Sequence, residues 1–369
     1  MKKIITLFVF ACTIMSCKEI ANAFNQSYIY EKGIELKFNN DSKKTVTANI
    51  NGQDYNLYFD TGSGADVTIN EAKFALKQDK ILRQRDISGF DKQSKISSVY
   101  YVSDSISSKL FRLKNIPIFI TGREEENCFR NDEYEGLINV LTDSDLPVEL
   151  NYEKGYIKIL DKLQTSPLGY TFLESKFSSM SSVFKIKLFA LGRSDFFIFD
   201  TGNNGPILLN EDIYTPGKLM NSIDYIGNSV GGTKIVNRLK MYDADFQMKN
   251  TKFVQYVGVS QGSKRSIVNF NFIKKFNWII DRKNKKVYYK IIDVEKLNNP
   301  YNKNHAVHAA SSYQGKLIVS YSTSDSKFGI NSEIISINNQ NITPKNICEM
   351  LKLLNTTENW DKLNIQIKN

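Results

Sequence analysis

The sequence predicts a mainly β protein: two tandem β lobes that face each other across a cleft, followed by a small α+β unit. Three observations predict it. Short apolar runs rich in Val, Ile, Thr, Tyr and Phe recur along the chain, with 23 Phe and 19 Tyr but only 7 Pro among 369 residues, and such residues suit a half-buried pleated surface. A strand–turn–strand unit ending in Asp-Thr-Gly occurs twice. The repeat stops near Asp293, and the residues beyond it have a different rhythm.

The first copy begins with Thr45-Val46-Thr47-Ala48-Asn49-Ile50, which alternates as a strand with one buried face does. Asn51-Gly52 is a hairpin turn pair. Tyr55-Asn56-Leu57-Tyr58-Phe59 then runs into Asp60-Thr61-Gly62-Ser63. In the second copy Val183-Phe184-Lys185-Ile186-Lys187-Leu188 alternates, Leu191-Gly192-Arg193-Ser194 turns, and Phe196-Phe197-Ile198-Phe199 leads into Asp200-Thr201-Gly202-Asn203. Val67-Thr68-Ile69-Asn70 and Ile207-Leu208-Leu209-Asn210 come next as strands. Downstream, the segment Leu113 through Ile118 matches Met248 through Phe253 in residue type, and Gly136-Leu137-Ile138-Asn139 matches Ser266-Ile267-Val268-Asn269. Each half closes with a charged hairpin, at 150–157 and 280–288. A short Gln-, Thr-, Ser- and Pro-containing stretch at 164–168 reads as the linker between lobes.

After 293, Asn298-Asn299-Pro300 reads as a boundary. Lys316-Leu317-Ile318-Val319-Ser320 and Leu363-Asn364-Ile365-Gln366-Ile367 read as strands. Thr343 is expected to cap a helix starting at Pro344 and running through Met350 and Leu354.

The chain starts Met1-Lys2-Lys3, and then has an apolar stretch at 4–14 that is too short for a spanning helix. It ends in Ile14-Met15-Ser16-Cys17, which resembles a bacterial lipobox. Residues 1–16 are therefore expected to be a signal peptide and Cys17 the lipidated residue, anchoring the protein to a membrane of the bacterial cell envelope, on its periplasmic or outer face. Cys12 falls in the removed segment. Cys128 and Cys348, far apart in the chain, are read as unpaired. The net charge of +10 is not gathered into a basic run interleaved with aromatics, so nucleic acid is not implied. No Cys/His cluster has metal-ligand spacing. His305 and His308, the only histidines, lie far from any nucleophile pattern.

A single Asp-Thr-Gly is a weak signal, because Asp and Gly are ordinary turn residues. Two copies at the same place in a duplicated unit are a strong one. Water attacks an amide only with help from a base and from a group that protonates the leaving nitrogen. Two adjacent carboxylates supply both, because like charges in one site share a proton rather than both ionise. Asp60 and Asp200 are the candidate catalytic pair. Gly62 and Gly202 would permit the tight turns, Thr61 and Thr201 would cross-brace the loops, and Ser63 and Asn203 would donate to the outer carboxylate oxygens. Neither a metal nor an organic cofactor is called for.

At these residues the chain resembles the aspartic peptidase superfamily, particularly bacterial retropepsin-like, pepsin-like bilobal proteins with a C-terminal PDZ-like domain. The resemblance covers nearly the whole chain after the signal segment. It implies acid-protease β-barrel lobes and endopeptidase activity on a polypeptide substrate by Asp60 and Asp200. In the family an apolar-apolar-Gly segment packs beneath each catalytic loop; here Asn139 and Asn269 stand in place of those glycines. A left-handed backbone would accommodate asparagine there. Ile87-Ser88-Gly89-Phe90 in the first lobe, or Ser229-Val230-Gly231-Gly232-Thr233 in the second, would form a flap over the cleft. Gly329-Ile330-Asn331-Ser332-Glu333-Ile334-Ile335-Ser336-Ile337-Asn338-Asn339 is similar to a PDZ strand–turn pattern, which implies capture of a peptide partner along a sheet edge or, alternatively, a closed stabilising module.

The expected organisation is signal peptide 1–16, tether 17–29, first lobe 30–163, second lobe 164–293 and PDZ-like unit 294–369, in a monomer, since one chain carries both half-sites. The competing expectation is a non-catalytic polypeptide-binding lipoprotein on the same fold.

Overall fold

The computed structural model describes residues 25–39, 44–63, 65–88, 95–121, 135–139, 144–163, 165–178, 182–214, 217–228, 234–260, 264–300, 308–313, 315–357 and 359–368. Outside them lie the signal segment, Cys17, Cys128, His305, Gln164 of the linker and both candidate flap tips, 89–90 and 229–233.

The described chain is mainly β, 54% strand and 9% helix, with two closed six-stranded barrels, as a two-lobe β fold requires. The first lobe holds β1 (Ser27–Tyr30), β2 (Glu35–Lys37), β3 (Thr45–Ile50), β4 (Gln53–Phe59), β5 (Val67–Asn70), β6 (Ile81–Ser88), β7 (Lys95–Ser107), β8 (Phe111–Thr121), β9 (Gly136–Ile138), β10 (Val148–Asn151) and β11 (Tyr156–Ile159). The second repeats the order: β12 (Thr171–Leu173), β13 (Ser175–Phe177), β14 (Phe184–Ala190), β15 (Arg193–Phe199), β16 (Ile207–Leu209), β17 (Leu219–Asn228), β18 (Lys234–Met248), β19 (Thr251–Ser260), β20 (Ile267–Val268), the short helix α1 (Phe270–Ile273), β21 (Phe276–Asp281) and β22 (Lys286–Ile291).

Local chemistry accounts for the leading hairpins. Val46, Ala48 and Ile50 point inward from β3 while Thr47 faces solvent. Asn51 and Gly52 both take positive φ, 53° and 92°, as a two-residue turn matching strand twist demands. In the second lobe Leu191 and Gly192 do the same at 48° and 77°. A leucine there is uncommon.

The strand order shows how the two Asp-Thr-Gly loops are held. In the first lobe β9 lies between β4, to which it runs parallel, and β5, to which it runs antiparallel. In the second, β20 lies between β15 and β16 in the same way. The register corrects one detail of the sequence match. Thr68 pairs with Phe119 where Leu208 pairs with Gly258, so Leu113 through Ile118 and Met248 through Phe253 are out of step. The shared Lys-Asn pair sits inside β8 in the first lobe, at 114–115, but forms the turn between β18 and β19 in the second, at 249–250.

A third sheet joins the lobes in the order β12-β22-β21-β10-β11-β2. Its centre is self-complementary: Val148 faces Ile280, Glu149 faces Ile279 and Leu150 faces Trp278. One apolar cluster, from Val46 and Phe59 through Leu150 to Phe199 and Trp278, runs through both lobes. Trp278 is fully buried and its indole N–H donates to Ile273 O at 2.9 Å, which satisfies its polar edge.

The C-terminal unit comprises β23 (His308–Tyr313), β24 (Lys316–Thr323), β25 (Glu333–Ile337), β26 (Gln340–Asn341), helix α2 (Ile347–Thr356) and β27 (Ile365–Lys368). It has its own core around Leu317, Ile334, Leu351 and Trp360. The helix starts three residues later than the sequence suggests. Asn346 is its cap residue, and the Asn346 side chain accepts from both the backbone N–H and the hydroxyl of Thr343, so Thr343 braces the preceding turn instead. Cys348 is disulfide-bonded, which corrects its reading as unpaired; its partner lies outside the described residues. The unit is sewn into the second lobe. Strand β24 pairs with β17, with Ile223 opposite Thr323 and Tyr225 opposite Tyr321. Among the described residues the matching strand of the first lobe, β6, pairs with β7 alone and stands at the end of its sheet.

Candidate functional site

The two Asp-Thr-Gly loops meet between the barrels. Each comes after a strand whose last residues are buried, Leu57-Tyr58-Phe59 in one and Phe197-Ile198-Phe199 in the other. The backbone then turns out of the sheet because the next ladder position is taken by β9 or β20: Asp60 N–H donates to Ile138 O at 3.1 Å, and Asp200 N–H to Val268 O at 3.3 Å.

Thr61 and Thr201, both fully buried, lock the loops together. The Thr61 N–H donates to Thr201 Oγ1 at 2.9 Å and the Thr201 N–H to Thr61 Oγ1 at 3.1 Å. Each hydroxyl in turn donates to the carbonyl ahead of the opposite aspartate, Thr61 to Phe199 O at 2.8 Å and Thr201 to Phe59 O at 2.7 Å. Every polar atom of the cross-brace thus has a partner in the other lobe, which a buried polar group needs.

The glycines are required by the opposite loop. A Cβ on Gly62 would lie 2.4 Å from Asp200 Cγ, and one on Gly202 would lie 2.4 Å from Asp60 Cγ. Only hydrogen fits in that gap. The backbone amides behind the turns aim at the carboxylates. Gly62 and Ser63 donate to Asp60 Oδ1 at 2.8 and 3.1 Å, and Gly202 and Asn203 to Asp200 Oδ1 at 2.9 and 3.0 Å.

The side chains of Ser63 and Asn203 do something other than expected. Ser63 Oγ donates to Ala65 O at 3.0 Å, and Asn203 Oδ1 accepts from Gly205 N–H at 2.9 Å. Both close their own turns. Donation to the carboxylates comes from the main chain of these residues and not from their side chains.

Asn139 and Asn269 hold the loops from beneath. Asn139 Nδ2 donates to Ser63 O at 2.9 Å, joined there by Ser182 Oγ at 2.9 Å. Asn269 Nδ2 donates to Gly205 O, while its Oδ1 caps α1 by accepting from Phe272 N–H at 2.9 Å. Neither residue has positive φ, and Asn269 is extended at φ −92°, ψ 170°. The left-handed backbone expected here is absent. Asparagine serves because its amide reaches a loop carbonyl, a bond that glycine has no side chain to make.

Asp60 and Asp200 keep some exposed surface yet stand deep enough among protein atoms to lose most of their hydration. The Asp200 carboxyl is pushed up to about 8, first by that loss and then by the negative charge of Asp60. Asp60 is raised too, again by loss of hydration, but the amides of Gly62, Ser63 and Gly202 and a hydrogen bond from Asp200 oppose the rise. Burial thus raises both carboxyls, and two like charges at one point hold a proton between them rather than both ionise. Such an arrangement can act as base and acid at one point in space.

Three further participants carry no motif of their own in the sequence. Tyr58 Oη donates across the lobe boundary to Thr201 O at 3.0 Å. Lys44 Nζ donates to Asn204 Oδ1 at 2.7 Å. Ser182 reaches back from the second lobe to Ser63 O. Only Tyr58 left a trace in the sequence: where the second copy has Ile198, the first has a phenol. Among the described residues no group of three or more His, Cys, Asp or Glu is placed to hold a metal ion. No protein-family model matches the chain, and no curated protein sequence matches it.

Proposed function

We propose that the protein is an aspartic-type endopeptidase with Asp60 and Asp200 as its catalytic pair. The observation that carries the reading is that two cross-braced loops bring the Asp60 and Asp200 carboxyl groups together, each against the glycine of the opposite loop. In the proposed reaction a water lies between them. Ionised Asp60 takes a proton from the water as its oxygen attacks the peptide carbonyl carbon. Protonated Asp200 gives a hydrogen bond, then its proton, to the carbonyl oxygen, producing a tetrahedral diol. Asp60 passes its proton to the amide nitrogen, the C–N bond breaks, and Asp200 recovers a proton from the diol. One proton circulates and the pair ends as it began.

On the same resemblance, the barrels are acid-protease lobes of a bilobal, retropepsin-like protein, and the C-terminal unit is a PDZ-like domain. The protein is held to a membrane of the cell envelope by lipid on Cys17; among the described residues no helix is long and apolar enough to cross a membrane. Asn139 and Asn269 each donate to a loop carbonyl beside the pair, which supports the reading by keeping the loops in place.

The test is cleavage of a diverse peptide library by the protein from Lys18 onward, beside Asp60→Asn and Asp200→Asn. Loss of cleavage in both variants is the expected result. A wild type that cuts nothing, or variants that cut as well as it does, would sink the peptidase reading.

A further inference from the structure

The duplicated lobes differ at one position that matters to the carboxyl pair. Tyr58 lies opposite Leu137 where β4 runs along β9, and Ile198 lies opposite Ile267 where β15 runs along β20. Tyr58 and Ile198 are thus equivalent, a phenol in one lobe and a hydrocarbon in the other. Tyr58 is buried, 6% exposed, and its hydroxyl leaves its own barrel to reach the second lobe's loop, 3.0 Å from Thr201 O and 3.2 Å from Asn204 Oδ1. A phenol has one hydrogen to give. Lys44 Nζ already gives Asn204 Oδ1 a donor at 2.7 Å, and the shorter of the two phenol contacts is the one to Thr201 O.

That carbonyl and the Gly202 N–H belong to one peptide unit. The N–H donates to Asp200 Oδ1 at 2.9 Å and acts on Asp60 as well. A hydrogen bond accepted at the carbonyl polarises the amide and strengthens its N–H as a donor. It also fixes the plane of the peptide, and with it the direction of the N–H.

We propose that Tyr58 is a positioning residue for the carboxyl pair, locking and polarising the Thr201–Gly202 peptide from across the lobe boundary. Ile198, in the equivalent place of the second lobe, has no hydroxyl to return the service. The inference deepens the peptidase reading and rests on it for its kinetic consequence only. The Gly202 N–H favours the charged form of the pair, so loss of the phenol hydroxyl must move the pair's titration upward. Among the described residues, the charged and titratable side chains tied to the pair or to the Tyr58 hydroxyl are the two carboxyls, Lys44 on Asn204, and the phenols of Tyr58 and Tyr152. Tyr58→Phe alters only one of them.

The experiment measures melting temperature against pH for the wild type, Tyr58→Phe, Asn204→Ala and Asp200→Asn, with peptide cleavage kinetics beside it. The pH-dependent slope that vanishes in Asp200→Asn marks the pair. In Tyr58→Phe its midpoint rises by about half to one pH unit, and kcat falls several-fold with KM unchanged. A uniform drop in melting temperature with an unmoved midpoint would make Tyr58 merely structural and overturn the inference. Should Tyr58→Phe fail to fold, Asn204→Ala decides: with its second acceptor gone the phenol keeps Thr201 O, so the midpoint stays or falls, and a rise overturns the proposal. A wild type that cleaves nothing refutes the peptidase reading alone, because the midpoints still judge Tyr58.

Discussion

At the scale of single residues, the site is a set of close contacts between two loops, and each contact has a measurable consequence. Gly62 and Gly202 have room for hydrogen and nothing larger, because the opposite carboxyl carbon would sit 2.4 Å from any added Cβ. Gly62→Ala is expected to push Asp200 out of place and lower kcat/KM by on the order of a hundredfold or more, while the barrels persist by far-ultraviolet circular dichroism. The raised Asp200 carboxyl makes two pH predictions. For activity, the proton must be on the pair, so kcat/KM should hold through neutral pH and fall as pH climbs through about 8; an alkaline limb below about pH 6 would contradict the arrangement. For stability, the folded protein holds this proton more tightly than the unfolded chain does. Its contribution is complete below the ordinary carboxyl value of 3.8 and is lost as pH rises toward about 8. Asp200→Asn removes the penalty of ionising a buried acid and should stabilise the protein at pH 8 by on the order of 1–3 kcal/mol, read from denaturant midpoints. A less stable Asp200→Asn would show that burial does not strain the carboxyl.

At the scale of elements, the two long hairpins are equivalent by sequence and different by neighbourhood. Strand β6 ends its sheet, whereas β17 has β24 along its outer side. Ile223, Leu239 and Met241 close over that seam with Tyr225, Tyr256 and Tyr321 packed against them. Ser324 N–H donates to Ser222 O at 2.9 Å, and Ser324 Oγ to Asn221 Oδ1 at 2.6 Å. The second lobe's hairpin is therefore anchored by the C-terminal unit, and among the described residues no strand does the same for the first lobe's. Tyr321→Ser should loosen the seam, and amide exchange in 219–228 should quicken by about tenfold or more while β7 and β8 are unaffected. Equal protection in variant and wild type would refute the anchoring. Within the C-terminal unit, the carboxamide of Asn355 on α2 occupies both backbone groups of Ala310 on β23, accepting its N–H at 3.2 Å and donating to its carbonyl at 3.3 Å. Any peptide that adds to this edge must displace Asn355, so Asn355→Ala should bind an extended fluorescent peptide more tightly than the wild type does, as read by anisotropy. The duplication, the strand pairs and the positions of the Asp-Thr-Gly turns were all legible in the sequence, because a period of two and a turn dipeptide are local signals. The start of α2 was not: Thr343 and Asn346 are both cap residues by type, and only the bond between them decides which one caps.

At the scale of the whole molecule, the sheet between the lobes completes within one chain what a symmetric dimer would otherwise build. Its order is the same from either end, and its central pair, β10 with β21, is self-complementary. A second copy has no half-site to supply, so the protein from Lys18 onward should have the mass of one chain by light scattering; a dimer would call for another account of the interface. Because one apolar cluster runs through both barrels and the C-terminal unit has its own, the lobes should unfold together.

By itself the sequence determined the class of fold, the duplication and the pair of aspartates. These arise from hydrophobic alternation, turn chemistry and a repeated motif, all written within a few residues of one another. What only the tertiary structure decided are the contacts between residues far apart in the chain. Glycines 62 and 202 are obligatory because of the opposite carboxyl, not because of their own turns. Asn139 and Asn269 replace glycine because a loop carbonyl lies within reach of their amides. Tyr58 gains its place by crossing to Thr201, 143 positions away. The raised carboxyls of Asp60 and Asp200 likewise arise from burial and mutual proximity, which exist only once the two loops have met.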